Sequence, residues 1–282
     1  MLRHGSISGL AVLAVWLGIA TPVGAQSSGG TSSLAGLSNT EIAHIVQNPL
    51  ADVTQLQIQN NANFNAGTRH GIQDVLNLLP IIPFHLDERW NLITRSIIPL
   101  QWNPPGMRGE SVPFGTQAAT VSAYLSPKDP INGWVLGAGP VVQAPTTSSS
   151  ALGSSVWGLG PAAVLLKLPS PGVPFRLTLP IYNVTSLGGS PKDGTRYNLF
   201  YANPNINYNF GDGWYISSSP IITAEWDRPQ RKWSLPIGMG LGKAFHLPNG
   251  APVVISHGFQ YYLLHPEGSG TWLMRTQIAL LF

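Results

Sequence analysis

The sequence predicts an all-β fold, an antiparallel up-and-down transmembrane β-barrel of about 12 strands preceded by a short N-terminal helix. Three observations predict it: a succession of long segments with period-2 patterning, aromatic residues at both ends of those segments, and very little charge. Only 10% of the 282 residues are charged, against about 25% in soluble proteins, while 43% are hydrophobic and nine are Trp. Lipid explains the deficit, because the outside of a barrel must avoid charge and its inside can use uncharged amides. Disorder does not explain it, since a chain this apolar does not stay unfolded.

Residues 1–25 have the layout of a secretory signal peptide: Arg3 in a short polar start, an apolar run from Ile7 to Ala20, and Val23-Gly24-Ala25 as a small-x-small site with the cut expected after Ala25. The apolar run is too short for the roughly 20 residues of a spanning helix. After residue 26 every hydrophobic run is interrupted by Pro, Gly, Asn or a charge, which excludes a helical membrane protein. The chain has no Cys, so disulfides, thiolate metal sites and Cys nucleophiles are excluded together. The formal charge falls from +3 to +2 when Arg3 leaves with the signal, too little to argue for nucleic acid.

Residues 26–54 are expected to form a flexible leader, rich in Ser, Gly and Thr up to 37, and then the helix. Ser38-x-x-Glu41 is a capping-box pattern, and Ile42, Ala43, Ile45 and Val46 follow, so a helix of two to three turns is expected within 38–51, ending near Asn48-Pro49. The barrel is assigned to 55–282. Its twelve segments are 55–64, 71–84, 89–101, 116–126, 132–143, 156–167, 174–184, 196–210, 213–226, 231–245, 252–264 and 271–282. In the first, Leu56, Ile58, Ala62 and Phe64 share one face and Gln57, Gln59, Asn61 and Asn63 the other. Residues 200–210 repeat the pattern, with Phe200, Ala202, Ile206, Tyr208 and Phe210 opposed to Asn203, Asn205, Asn207 and Asn209.

Trp90 and Trp102 share parity, as do Trp214 and Trp226, with apolar residues between them. Twelve residues span roughly 40 Å, and a tilt near 45° reduces this to about 28 Å across the membrane. These four, with Trp272 and Phe282, are the expected membrane girdle. A soluble sandwich could bury the same Trp, but its strands average about half this length. Longer connections at 102–115, 144–155 and 185–195 alternate with shorter ones, although 65–70, 227–230 and 265–269 are short where outer loops are expected. Pro80, Pro99, Pro140, Pro161, Pro204, Pro220 and Pro236 fall inside segments, where bulges or bends are expected.

No chemistry is visible in the pattern. The seven His are scattered without i, i+4 pairs, so neither a metal nor another cofactor is expected. Glycine runs such as Gly238-Met-Gly-Leu-Gly242 lack the helix of a nucleotide loop and fit a barrel face made of small residues. No Gly-x-Ser-x-Gly occurs, and an enzyme is not expected. Strand parity then proposes a lumen lined by Gln57, Gln59, Asn61, Asn63, Gln73, Asn77, Asn91, Arg95, Arg176, Asn203, Asn205, Asn207, Glu225, Arg275 and Gln277. The three Arg either make a basic constriction that favours anions or bond to interior amides, loops or the helix as packing. A helix tucked inside so narrow a barrel would close it.

Several stretches resemble a known family. Gln47-Asn-Pro-Leu-Ala51, Gln59-Asn-Asn61 with Phe64, Val75-Leu-Asn-Leu-Leu-Pro-Ile-Ile-Pro-Phe84 and Trp90-Asn-Leu-Ile-Thr-Arg-Ser-Ile-Ile-Pro99 are similar to a bacterial outer-membrane transporter family often labelled neuromedin U. That family is related to the outer-membrane proteins named for a phenol-degradation meta pathway. Leu125-Ser-Pro127, Gly137-Ala-Gly-Pro140, Leu152-Gly153, Trp157-Gly-Leu-Gly-Pro161 and Gly213-Trp214 extend the likeness over most of 41–282. The resemblance implies a barrel in the outer membrane of a Gram-negative bacterium that passes hydrophobic or aromatic compounds, and it fixes no binding residue. A terminal strand ending in Phe282 resembles the signal read by the barrel assembly machinery, so outer-membrane lipid, that machinery and a small-molecule solute are the expected partners. Relatives usually carry acidic residues where this chain has Pro145-Thr-Thr-Ser-Ser-Ser150. The competing expectation is a closed structural or surface-interaction barrel without transport.

Overall fold

The computed structural model describes residues 34, 36–106, 114–168, 174–190, 196–227 and 232–282. The expected signal peptide and its cut lie outside the described residues, as does the leader up to residue 33. Helix α1 spans Asn39–Val46 and starts with the capping box read from the sequence: the Glu41 N–H donates to Ser38 Oγ (3.2 Å) and the Ser38 N–H to Glu41 Oε2 (2.7 Å).

Fifteen strands follow: β1 (Gln55–Ala66), β2 (Gly71–His85), β3 (Trp90–Trp102), β4 (Phe114–Thr116), β5 (Ala119–Pro127), β6 (Trp134–Ala144), β7 (Gly158–Lys167), β8 (Phe175–Ser186), β9 (Asn198–Ala202), β10 (Asn205–Gly211), β11 (Trp214–Ser218), β12 (Ile222–Glu225), β13 (Trp233–His246), β14 (Pro252–Leu264) and β15 (Trp272–Leu281). They make 12 antiparallel staves, because β4 and β5, β9 and β10, and β11 and β12 are halves of single staves. The sheet closes where β1 pairs with β15, in register from Gln55↔Leu281 to Phe64↔Trp272. Closure leaves no unpaired edge, which is the condition for a sheet to stand in lipid.

Proline decides where staves break. The breaks at Asn203-Pro204 and at Ser219-Pro220-Ile221 lie on neighbouring staves, and β13 slips its register at Leu235/Pro236. The bends expected at prolines inside the segments thus occur at Pro204, Pro220 and Pro236, and at the first two they split 196–210 and 213–226 into two strands each, because a proline cannot donate to the ladder. Pro80, Pro140 and Pro161 keep the register instead of forming bulges, whereas at Pro99 the register holds toward β2 and slips by one residue toward the other neighbour, between Ile97↔Thr120 and Leu100↔Thr116. The stave expected at 116–126 begins at Phe114 and is interrupted at 117–118.

Alternation separates the two faces. Trp90, Trp102, Trp214, Trp226, Trp272 and Phe282 are all exposed on the outside. At the rim holding both ends of the barrel, Trp134 and Trp214 carry Lys167 and Lys243 over their rings at 5.2 and 5.1 Å; at the opposite rim Lys232 lies 5.7 Å from Trp226. Few polar groups interrupt the apolar exterior, and they pair with each other: Asn60 with Asp74, and His257 Nδ1 with Thr276 Oγ1 at 2.8 Å.

Candidate functional site in the barrel interior

Helix α1 lies inside the barrel at the rim that carries both ends, where the described connections are short. Ile42 and Ala43 pack with Leu34 against Tyr215, Ala244, Val254, Ala279 and Leu281 on the inner wall. Its start is held by the β10–β11 turn: Asn39 Nδ2 donates to Asp212 Oδ1 (2.9 Å) and the Gly213 N–H to Thr40 Oγ1 (3.2 Å). Asp212 in turn pairs with Lys243 at 2.7 Å. Gly213 is needed there, since its φ of +75° is unfavourable for other residues and a Cβ would press on Asn39 and the Ala244 carbonyl.

The helix end is satisfied by the barrel wall. Arg176 Nη1 donates to the His44 carbonyl (3.3 Å), Gln55 Nε2 to that of Ile45 (3.3 Å) and Thr178 Oγ1 to that of Gln47 (3.1 Å). A helix terminus leaves its last carbonyls without intrahelical partners and carries partial negative charge there, so a guanidinium is a suitable cap. Gln47 and Asn209 exchange amide hydrogen bonds at 2.9 and 3.3 Å.

From this seat a chain of amides climbs the β1–β15 wall. Gln57 Nε2 donates to Gln55 Oε1, Gln277 to Gln57, Gln59 to Gln277 and Asn61 to Gln59, at 2.9 to 3.3 Å, and Arg275 Nε donates to Asn61 Oδ1 at 2.8 Å. Every link points the same way, from the Arg275 cation to the Ile45 carbonyl, so the dipoles reinforce one another. Asn77 joins at Gln59, and Asn63 and Gln73 continue toward Asn103.

Opposite the amides the interior is apolar. Leu50, Ile81, Ile93, Tyr124, Val141, Val164, Tyr182, Val184, Tyr197 and Tyr201 form one buried cluster, with Tyr182 and Tyr201 stacked at 4.5 Å. Arg95 is buried beside the hydroxyls of Tyr124, Tyr182 and Tyr201. Between the cluster, the amide chain and the top of α1 lies a chamber with about 90 Å³ open to the centre of a water molecule.

Of the residues proposed for the lumen, Gln57, Gln59, Arg95, Asn203, Asn205, Asn207, Arg275 and Gln277 line this chamber. Asn61, Asn63, Gln73 and Asn77 belong to the amide network around it; Arg176 is engaged with the helix; Asn91 is buried near the rim of the barrel ends; Glu225 is half-buried at the opposite rim, in register with inward Leu199. Val46, Gln47, Pro49, Ile81, Pro180, Tyr215, Ser217, Ser219 and Ser256 also line the chamber and were not singled out from the sequence. The assignment of polar residues inward passed over inward apolar and Ser positions. Parity with Asn203 and Asn205 is the signal that reaches Tyr201. Among the described residues no group of three or more His, Asp or Glu is placed to hold a metal ion.

No protein-family model and no curated protein matches the chain. Among solved structures, an outer membrane channel from Pseudomonas putida F1 is similar with a TM-score of 0.53 at 12% sequence identity, over 82% of this chain and 94% of that one. A FadL homologue from Pseudomonas aeruginosa is matched at a TM-score of 0.40 and 10% identity, over 89% and 93% of the two chains. The first likeness is one of fold: the chain is a closed 12-stranded antiparallel barrel of the outer-membrane kind.

Proposed function

We propose that this protein is an outer-membrane channel for small molecules, held shut at rest by α1. In this reading the rim with both barrel ends faces the periplasm, the longer connections face outward, and the exposed aromatics at the two rims are the membrane girdles. The observation that carries the reading is the polar chamber directly above a helix seated by exchangeable side-chain contacts. A barrel that served only as scaffold would need neither buried charge nor an amide-lined space behind a plug.

The sequence resemblance points to hydrophobic or aromatic solutes. The interior supports an amphipathic one, since the tyrosine-rich cluster faces the amide chain across the chamber. A moving helix would exchange its bonds to Arg176, Gln55, Thr178, Asn209, Asp212 and Gly213 for water at roughly 1 kcal/mol each and lift its short apolar face off the wall, so openings are expected to be rare. The test is single-channel conductance of the refolded chain from Gln26 in a planar bilayer, beside a chain lacking 26–51 and the Arg176→Ala variant. Rare openings from the first, steady current from the second and a raised open fraction in the third are expected. Silence from all three, with a heat-modifiable folded band, would sink the channel and leave a closed structural barrel, which the packed apolar cluster would then favour.

A further inference from the structure

We infer that the chamber above α1 is a binding site for a small organic monocarboxylate. The inference deepens the channel reading and rests on it for the ligand's way in.

Arg95 and Arg275 both line the chamber and are only 8% and 7% exposed. Neither forms an ion pair among the described residues; hydroxyls and amides surround them. A buried cation is ordinarily paired, because low dielectric makes an uncompensated charge costly. Two buried cations that line one chamber therefore leave it with an unmet demand for negative charge. They converge, since one from β3 and one from β15 line the same chamber.

The remaining chemistry selects the anion. Arg275 spends Nε on Asn61 and Nη1 on the Ser219 carbonyl and hydroxyl (2.7 and 3.3 Å), so it has Nη2 left for an anion, which suits the single charge of a carboxylate more than a tetrahedral dianion that needs several donors. Val46, Pro49, Ile81 and Pro180 share the lining and give a short carbon chain apolar contact. One water needs about 10–15 Å³ of such space, so the chamber holds several waters or one molecule of a few carbons. Arg176 does not line the chamber and faces the His44 carbonyl at the helix end instead.

The test is isothermal titration of the detergent-folded chain from Gln26 with sodium butyrate, butyramide and sodium chloride at matched ionic strength. Butyrate should bind saturably, butyramide should not, and equimolar chloride should not displace butyrate. Arg95→Gln and Arg275→Gln should each weaken butyrate at least tenfold. Ser217→Leu, which narrows the chamber without removing either guanidinium, should do the same and decides the matter where an Arg variant gives no heat-modifiable barrel. Arg176→Ala is titrated in parallel, so that a shut entrance cannot hide the site. Absence of butyrate binding in both the parent and Arg176→Ala, equal binding of butyramide, displacement by equimolar chloride, or unchanged affinity in Ser217→Leu would overturn the proposal. The two readings separate cleanly: current without butyrate binding removes the site and keeps the channel, and binding without current does the reverse.

Discussion

Several inward glycines stand where the barrel leaves no room for a side chain, and two of them are each matched to a tyrosine. A Cβ at Gly158 would press on the Tyr197 ring and hydroxyl, which donates to the Val156 carbonyl at 3.0 Å; one at Gly242 would enter the Tyr215 ring. Close packing leaves little room to yield, so Gly158→Val should destabilise the barrel by about 1–3 kcal/mol. The check is the temperature at which the heat-modifiable folded band disappears, and an unchanged temperature would show that Tyr197 has space to move. At the helix start, Ser38→Ala removes the side-chain arm of the capping box, the Oγ that accepts from the Glu41 N–H, from an exposed position and leaves the backbone N–H of residue 38 bonded to Glu41. A loss of about 1 kcal/mol in local stability is expected there. Amide hydrogen exchange should quicken at Glu41 and Ile42 while the strands stay protected.

Among the elements, α1 is the one whose attachment is mostly polar at its ends and apolar only along one short face. The amide chain makes the wall part of that attachment, so Gln59→Leu should loosen the helix although Gln59 does not touch it. Raised open probability in single-channel records would report this. His44 adds a pH dependence: burial first, and then the Arg176 guanidinium from β8, push it down from its ordinary 6.5 to about 4, while Glu41 on the same helix acts the other way. The Asp212–Lys243 pair holds the helix start nearby. A released helix regains the ordinary value and takes up a proton that the seated one refuses, so released forms gain as pH falls below about 6.5, down to about 4. Seating is therefore firmest above that window. Open probability should rise as pH is lowered through it, and His44→Gln should flatten the response.

Across the whole molecule, the exposed aromatics mark two rims, and the lysines over Trp134, Trp214 and Trp226 place a charge beside an apolar ring at each. Such side chains keep the charged end in water while the ring rests at the headgroup level. Reconstituted into bilayers, the Trp fluorescence should be quenched more by lipid brominated near the headgroup than by lipid brominated near the chain end. Stronger quenching from the chain-end label would place these rings in the hydrocarbon and remove the girdles. The closed ladder from β1 to β15 fits a barrel that needs no disulfide, in a chain with no Cys.

Local information was enough for the staves and the helix cap. Alternation is a property of neighbours two residues apart, and Ser38 and Glu41 are three apart, so 12 staves and the capping box were legible without any tertiary contact. Parity likewise put Gln59, Asn207 and Arg275 on one face with the other amides. It reaches Tyr201 but could not tell that Tyr201 meets Tyr124 and Tyr182 in one cluster, because alternation separates two faces without saying what closure brings together. The pairing of Gln59 with Gln277, 218 residues apart, and the seat of α1 under Arg176 and Thr178 depend on the ring closing. Only closure could decide that two arginines from β3 and β15 would share one chamber, since their proximity is set by barrel diameter and register and not by any spacing along the chain.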